Sequence, residues 1–102
     1  MAKFDDEITT DTGERVRFLL GETVMTQGAK AALTLDEVLF ALSRHQRGDW
    51  GDIPKVDRDE NELSVREGFR ILSVYRSASG VRFWVITEAD RSVTTILLPE
   101  EY

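Results

Sequence analysis

The chain reads as an α+β domain: N-terminal helices packed on a C-terminal antiparallel sheet of three to four strands. Three observations predict this. A helix-start signature at Thr34 and Glu37 opens an amphipathic run. Three apolar stretches near the end are separated by short polar turns. Helical patterns precede strand patterns and do not alternate with them, which separates α+β from α/β architectures.

Residues 1–14 are polar and acidic, with little to bury, and are expected to form a flexible tail ahead of a single domain over 15–102. Val16, Phe18 and Leu20 alternate with Arg15, Arg17 and Leu19, which predicts a short strand ending at Gly21. Thr26 is placed to cap a brief helix over 27–33. The second helix is expected over 35–46. In its capping box the Thr34 hydroxyl accepts from an early backbone N–H, and the Glu37 carboxylate reaches back to the cap. Leu35, Val38, Leu39 and Leu42 follow at i, i+3, i+4 and i+7, the spacing of a core-facing stripe. Arg44, His45 and Arg47 crowd the last turn, where cations favour the negative end of the helix dipole.

Gly48-Asp49-Trp50-Gly51-Asp52-Ile53-Pro54 cannot continue that helix. Trp50 and Ile53 are too apolar for water, so the loop is expected to tuck against the body with Trp50 as its buried anchor. A third, polar helix is predicted from Asp57 to a stop at Gly68, with its apolar content limited to Leu63 and Val65. Strands over 69–75, 81–87 and 93–98 close the chain. Their short turns predict antiparallel pairing.

The composition excludes several functions. With no cysteine, neither a disulfide framework nor a thiolate metal site can form, and one histidine excludes a His-rich one. Asp49 and Asp52 fall short of a ligand set for Ca²⁺ or Mg²⁺, so no metal or cofactor is expected. The N-terminus lacks the apolar core of a secretory signal, and no apolar run approaches a membrane span. The expected location is the cytoplasm, away from membranes. Net charge is −6 with a pI near 4.7, which disfavours non-specific nucleic-acid binding. The sequence sets no oligomeric state. No Gly-x-Gly-x-x-Gly, Walker-type, Gly-x-Ser-x-Gly or zinc pattern is present.

Two constellations carry chemistry. The hairpin over 82–102 collects Thr87, Glu88, Asp90, Arg91, Thr94 and Thr95 around one turn. Arg70 lies on a strand face near it, and His45 ends the second helix beside Asp49 and Asp52, where it is read as an exposed proton-transfer group. Together His45, Arg70, Arg91, Thr94 and Thr95 form a candidate catalytic set for phosphate chemistry: a proton carrier, two guanidinium groups and an orienting hydroxyl. Only one of Thr94 and Thr95 can join Arg91, because adjacent strand residues face opposite ways. The second constellation is acidic. Asp49, Asp52, Asp57, Asp59, Glu60 and Glu62, with Trp50, form a candidate partner-binding stretch that can mimic a phosphate backbone.

Two resemblances follow from these residues. Arg44-His45-Gln46-Arg47-Gly48-Asp49-Trp50-Gly51-Asp52, Asn61 and the run from Trp84 to Tyr102 resemble a family of short bacterial proteins associated with plasmids, phages and other mobile elements. That family brings no mechanism. Arg70 to Tyr75, the strand with Trp84, and Thr87 to Thr95 resemble the C-terminal sheet of barnase-type ribonucleases. This second resemblance implies a barnase-like fold, Arg70 as a phosphate-binding arginine, and the Asp90-Arg91 turn beside a scissile phosphate in RNA. The chain departs from those enzymes by carrying Arg91 where they carry histidine, so His45 would have to supply the general acid. The two expectations are therefore a ribonuclease or an inactive relative of one, and a non-catalytic acidic protein that inhibits a host nucleic-acid or defence enzyme.

Overall fold

The computed structural model describes residues 7–10 and 13–102. The fold is α+β, with three helices and two sheets. Strands β1 (Ile8–Thr9) and β2 (Arg15–Val16) form a small antiparallel hairpin, and β3 (Glu22–Met25) follows. Helices α1 (Gln27–Ala32), α2 (Leu35–Gln46) and α3 (Lys55–Glu67) precede β4 (Ile71–Arg76), β5 (Arg82–Thr87) and β6 (Val93–Leu97). A 3₁₀ turn, Pro99–Glu101, ends the chain. Among the described residues no helix is long and apolar enough to cross a membrane.

The four-stranded sheet has the order β3-β6-β5-β4 and is mixed. β4, β5 and β6 pair antiparallel as expected, but β3 joins β6 in parallel. The sequence pattern misses β3 because Glu22-Thr23-Val24-Met25 is short, lies at the sheet edge and is mostly exposed. Gly21 makes the approach to β6 possible. Its φ is +67°, and a Cβ there would lie 2.4 Å from the backbone oxygens of Arg91 and Ser92. Of the stretch expected as a tail, Ile8–Thr9 pairs with β2 and Glu14 reaches Arg47 at 3.0 Å. Residues 1–6, 11 and 12 lie outside the described set.

α1 and α2 cover one face of the sheet. Ala29, Leu33, Val38 and Ala41 meet Tyr75, Phe83, Val85 and Ile96 there. The Thr34–Glu37 capping box forms, and α2 spans the expected residues. Its inward stripe differs from the expected one. Val38, Ala41 and His45 are buried, while Leu35 and Leu39 are 69% and 54% exposed. The small Ala41 lets α2 lie close to the sheet along the Val38-Ala41-His45 line, which turns Leu35 and Leu39 outward.

A second cluster holds Phe18, Trp50, Ile53, Ile71 and Val74. Trp50 is 3% exposed and stacks on Phe18 at 6.2 Å, and its Nε1–H donates to Glu62 at 3.1 Å. Around it the loop pairs with β4: Val74 N–H donates to Trp50 O, and Asp52 N–H donates to Val74 O. The bridging residue is Gly51, at φ +76°, where a Cβ would lie 2.0 Å from Val74 O.

α3 begins two residues earlier than expected, at Lys55 behind Pro54, and stops at left-handed Gly68. The face it buries is polar. Asn61 and Ser64 are covered, while Leu63 stays exposed. The Asn61 amide acts as a strand substitute, donating to Leu72 O at 2.7 Å and accepting from Leu72 N–H at 3.3 Å. Asn61 and the Trp50–Asp52 segment thus occupy successive outward positions of the β4 edge, which would otherwise invite another strand.

Two substitutions test this arrangement by denaturant melts. Trp50→Ala is expected to lose about 3–5 kcal/mol, the range for removing a large buried aromatic. A loss under about 1 kcal/mol would show the ring to be dispensable. Gly51→Ala is expected to cost more than about 2 kcal/mol from left-handed strain and backbone collision together. An unchanged midpoint would refute the tight loop-to-strand pairing.

Candidate functional site

The expected catalytic residues divide between the two sides of the sheet. On the helix-covered side, β4, β5 and β6 present aligned inward positions: Ser73 opposite Val85 and Ile96, and Ile71 opposite Thr87 and Thr94. Three of these positions are polar, and His45 enters from α2 to meet them. Its Nδ1 lies 2.6 Å from Ser73 Oγ and its Nε2 lies 2.9 Å from Thr87 Oγ1. Thr87 Oγ1 contacts Thr94 Oγ1 at 2.7 Å, and Thr94 donates to the Leu20 carbonyl at 2.8 Å.

Donor counting orients this chain. A carbonyl only accepts, so Thr94 spends its one hydroxyl proton on Leu20. Thr87 then donates to Thr94, and Nε2–H donates to Thr87. Nδ1 is left to accept from Ser73. Among the described residues no buried side-chain nitrogen or oxygen, those of this series included, lacks a hydrogen-bond partner.

His45 is fully buried, with Phe18 edge-on at 5.1 Å and Trp50 edge-on at 6.0 Å. This corrects the expectation of an exposed histidine paired with Asp49 or Asp52. Asp49 instead takes a bidentate bond from Arg44, at 2.7 and 3.1 Å. Arg47, Gly48 and Asp49 cap the end of α2 through backbone bonds, and the histidine ring turns inward. Burial first, and the charge of Arg91 second, hold the His45 pKa down at about 3 instead of 6.5. The ring is therefore neutral at physiological pH.

Arg91 is also built into the structure. It adopts φ +60° in the β5–β6 turn. Nη1 donates to the carbonyls of Phe69, Glu88 and Ala89, and Nη2 donates to that of Ser64 at 2.8 Å. Its guanidinium carbon stands 5.6 Å from the Phe18 ring centroid. Arg91 thus locks the end of α3 to the turn, and Phe18 separates it from His45. His45 lies in the core and Arg91 in a partly exposed turn on the other side of Phe18.

Arg70 and Thr95 lie on the opposite, open side. A groove of about 280 Å³ there is lined by Arg70, Ile86, Thr95, Leu97, Glu101 and Tyr102, among others. Arg70 is engaged by Tyr102 Oη at 2.9 Å and Glu88 Oε1 at 3.3 Å. Tyr102 packs edge-on against Trp84 at 5.3 Å. Glu101 accepts from Thr26 Oγ1, from Gly28 N–H at 2.9 Å and from Leu98 N–H, fastening the final turn to the start of α1. The Thr94/Thr95 division is as the strand alternation requires.

The acidic set also separates. Trp50 is buried, so it cannot contact a partner directly. Glu62 is held by Arg17 at 2.8 and 2.9 Å and by Trp50, and the Arg17 guanidinium first holds its carboxyl below the usual range. Asp52 stands exposed, 3.7 Å from Arg82. Asp57, Asp59 and Glu60 are exposed on α3, and Asp59 pairs with Lys55 one turn away. Among the described residues no cluster of three or more acidic or histidine side chains is gathered as a metal would require.

Sequence reasoning passed over Ser73, and it read Phe18 only as an apolar strand position and not as the ring between His45 and Arg91. Ser73 carried a usable signal, a hydroxyl at an inward position of an otherwise apolar strand, which demands a buried partner. No family model, curated protein or solved structure matches the chain.

The histidine makes stability depend on pH with a definite sign. Its folded pKa lies below its unfolded value, so the unfolded chain takes the proton first as pH falls. The His45 contribution is complete above about pH 6.5 and is lost progressively towards pH 3, at up to ~1.4 kcal/mol per pH unit. Urea melts from pH 8 to pH 4 are expected to show a shallower slope for His45→Gln than for the native chain. Coincident slopes would mean that His45 is hydrated.

Proposed function

We propose that this chain is a non-catalytic acidic binding protein of the cytoplasm, which occupies the basic groove of an enzyme acting on nucleic acid. The observation that carries the reading is the sealed histidine. The only side chain with an ordinary pKa near neutrality has no exposed surface and both ring nitrogens bonded inside the core. Proton transfer to a bound RNA therefore has no carrier among the five candidates. Arg91 donates from Nη1 and Nη2 to four backbone carbonyls, which holds it to the turn and to the end of α3 and makes it a structural group.

The binding surface is the exposed acidic part of α3, from Asp57 to Glu60. The side chains of Asp57 and Glu60, three positions apart, make no hydrogen bond or ion pair among the described residues and border a recess with Asn61, Ser64 and Arg70, and Asp59 has only a surface pair with Lys55. Residues at this spacing stand about 5–6 Å apart on a helix. A rigid row of carboxylates at that spacing can stand in for a run of phosphates. Because α3 is held from behind by Asn61, Ser64 and Glu62, its acids meet a partner without first being ordered. Resemblance to proteins of mobile elements suits this role, since such elements meet host enzymes that cut foreign nucleic acid.

Two assays test the proposal. Added to a panel of host nucleases bound to fluorescent duplex DNA, the protein is expected to displace the DNA from at least one. Asp57→Lys, Asp59→Lys and Glu60→Lys combined are expected to weaken that displacement at least 10-fold with an unchanged circular-dichroism spectrum. Displacement that survives the reversal would end the mimicry reading. Incubated with mixed RNA, the protein is expected to cleave nothing, and cleavage abolished by Arg70→Ala would restore the ribonuclease reading.

A further inference from the structure

The outer side of α2 carries what the fold does not use. Leu35, Leu39 and Phe40 are 69%, 54% and 67% exposed. Leu39 and Phe40, with Asp36, Ser43 and Arg47, lie on the side away from the buried Val38-Ala41-His45 line, and Leu35 flanks that line one turn before Val38. Scattered apolar residues on a surface are ordinary, but three large ones along one helix side form a patch that wants a cover. Phe40 also borders a recess of about 180 Å³ whose walls include Ala41, Tyr75 and Phe83. The patch therefore offers both a protrusion and a pocket.

The charges on this side are polarised. Asp36 sits in the first turn and makes no ion pair among the described residues, while Arg47 follows the last turn, is 59% exposed and already pairs with Glu14 at 3.0 Å. They are about 16 Å apart along the axis. A second identical helix laid parallel would set Asp36 against Asp36 and Arg47 against Arg47. Laid antiparallel, it sets each aspartate against the other copy's arginine, with Leu39, Phe40 and Ser43 in the middle. Antiparallel contact of like surfaces is what a two-fold axis produces. We infer that the outer side of α2 is a self-association surface, pairing two copies of this chain antiparallel about an axis between Phe40 and Ser43.

One helix of twelve residues gives an interface at the small end of the range. The dimer is accordingly weak, with a dissociation constant on the order of 10 μM. A charge of −6 on each copy opposes approach, so association is measured near 0.15 M salt, where the screening length is about 8 Å.

Sedimentation equilibrium from low micromolar to several hundred micromolar decides the matter. The native chain is expected to rise from 11.6 kDa towards twice that mass with concentration. Leu39→Asp with Phe40→Asp is expected to remain at the monomer mass with an unchanged Tm, since both side chains are exposed. Asp36→Arg alone and Arg47→Asp alone are each expected to lose at least 10-fold in association. An equimolar mixture of the two is expected to dimerise, because each then supplies the charge the other lacks. A native chain that stays monomeric throughout would overturn the inference and leave the patch to a different protein. A Leu39→Asp/Phe40→Asp dimer would overturn the surface, and a mixture that fails to associate would overturn the antiparallel arrangement.

Discussion

A histidine with no access to water organises the middle of this protein. Burying a polar ring is costly unless both nitrogens are satisfied, and here satisfaction draws on α2, β4, β5, β6 and the carbonyl of Leu20. The chain of bonds lies between the two apolar clusters, with Tyr75, Phe83 and Val85 on one side and Phe18, Trp50 and Ile71 on the other. Hydrophobic contact alone is indifferent to small slips in packing. A directed series of donors and acceptors is not, and it specifies the height of α2 over the sheet and the register of the strands beneath it.

Much of the architecture was legible because local signals agreed with one another. The Thr34 cap, the α2 boundaries, the buried Trp50 and the last three strands each rest on short-range patterning. What was illegible depends on distant neighbours. Glu22–Met25 becomes a strand only because β6 lies beside it, and four residues carry too little alternation to announce that. Leu35 and Leu39 match a core stripe in spacing, yet the close seat provided by Ala41 rotates them away. The direction in which His45 points turns on Ser73 and Thr87, 28 and 42 positions further on. The polar crowding around the β5–β6 turn was visible, but alternation sends its members to opposite sides. Thr87 and Thr94 face the core, whereas Thr95 reaches the open groove.

α3 shows how a very polar sequence can still be firmly placed. It buries an amide and a hydroxyl instead of an apolar stripe, and the Asn61 amide completes hydrogen bonds for the margin of β4. Arg91 secures its end through Ser64 O, and Arg17 and Trp50 hold its middle through Glu62. Each anchoring group approaches from the body of the protein. The carboxylates of Asp57, Asp59 and Glu60 are therefore left exposed, with Asp59 paired to Lys55 one turn away.

The parallel pairing of β3 with β6 has a consequence for how the molecule is made. Glu22 aligns with Val93, so this pair closes a chain segment of about seventy residues. The helices and the β4–β5 hairpin can form from nearby contacts, but β3 has no strand partner until β6 has been synthesised. Leu20, Gly21 and the Thr94 hydroxyl meet only at that last step. Long-range closure of this kind slows folding relative to local assembly. The newly made chain passes through an interval in which α2 and the hairpin are ordered while β3 lies unpaired. During synthesis, until β6 emerges, the bare β3 segment is where a nascent chain is most open to wrong pairing or to a chaperone.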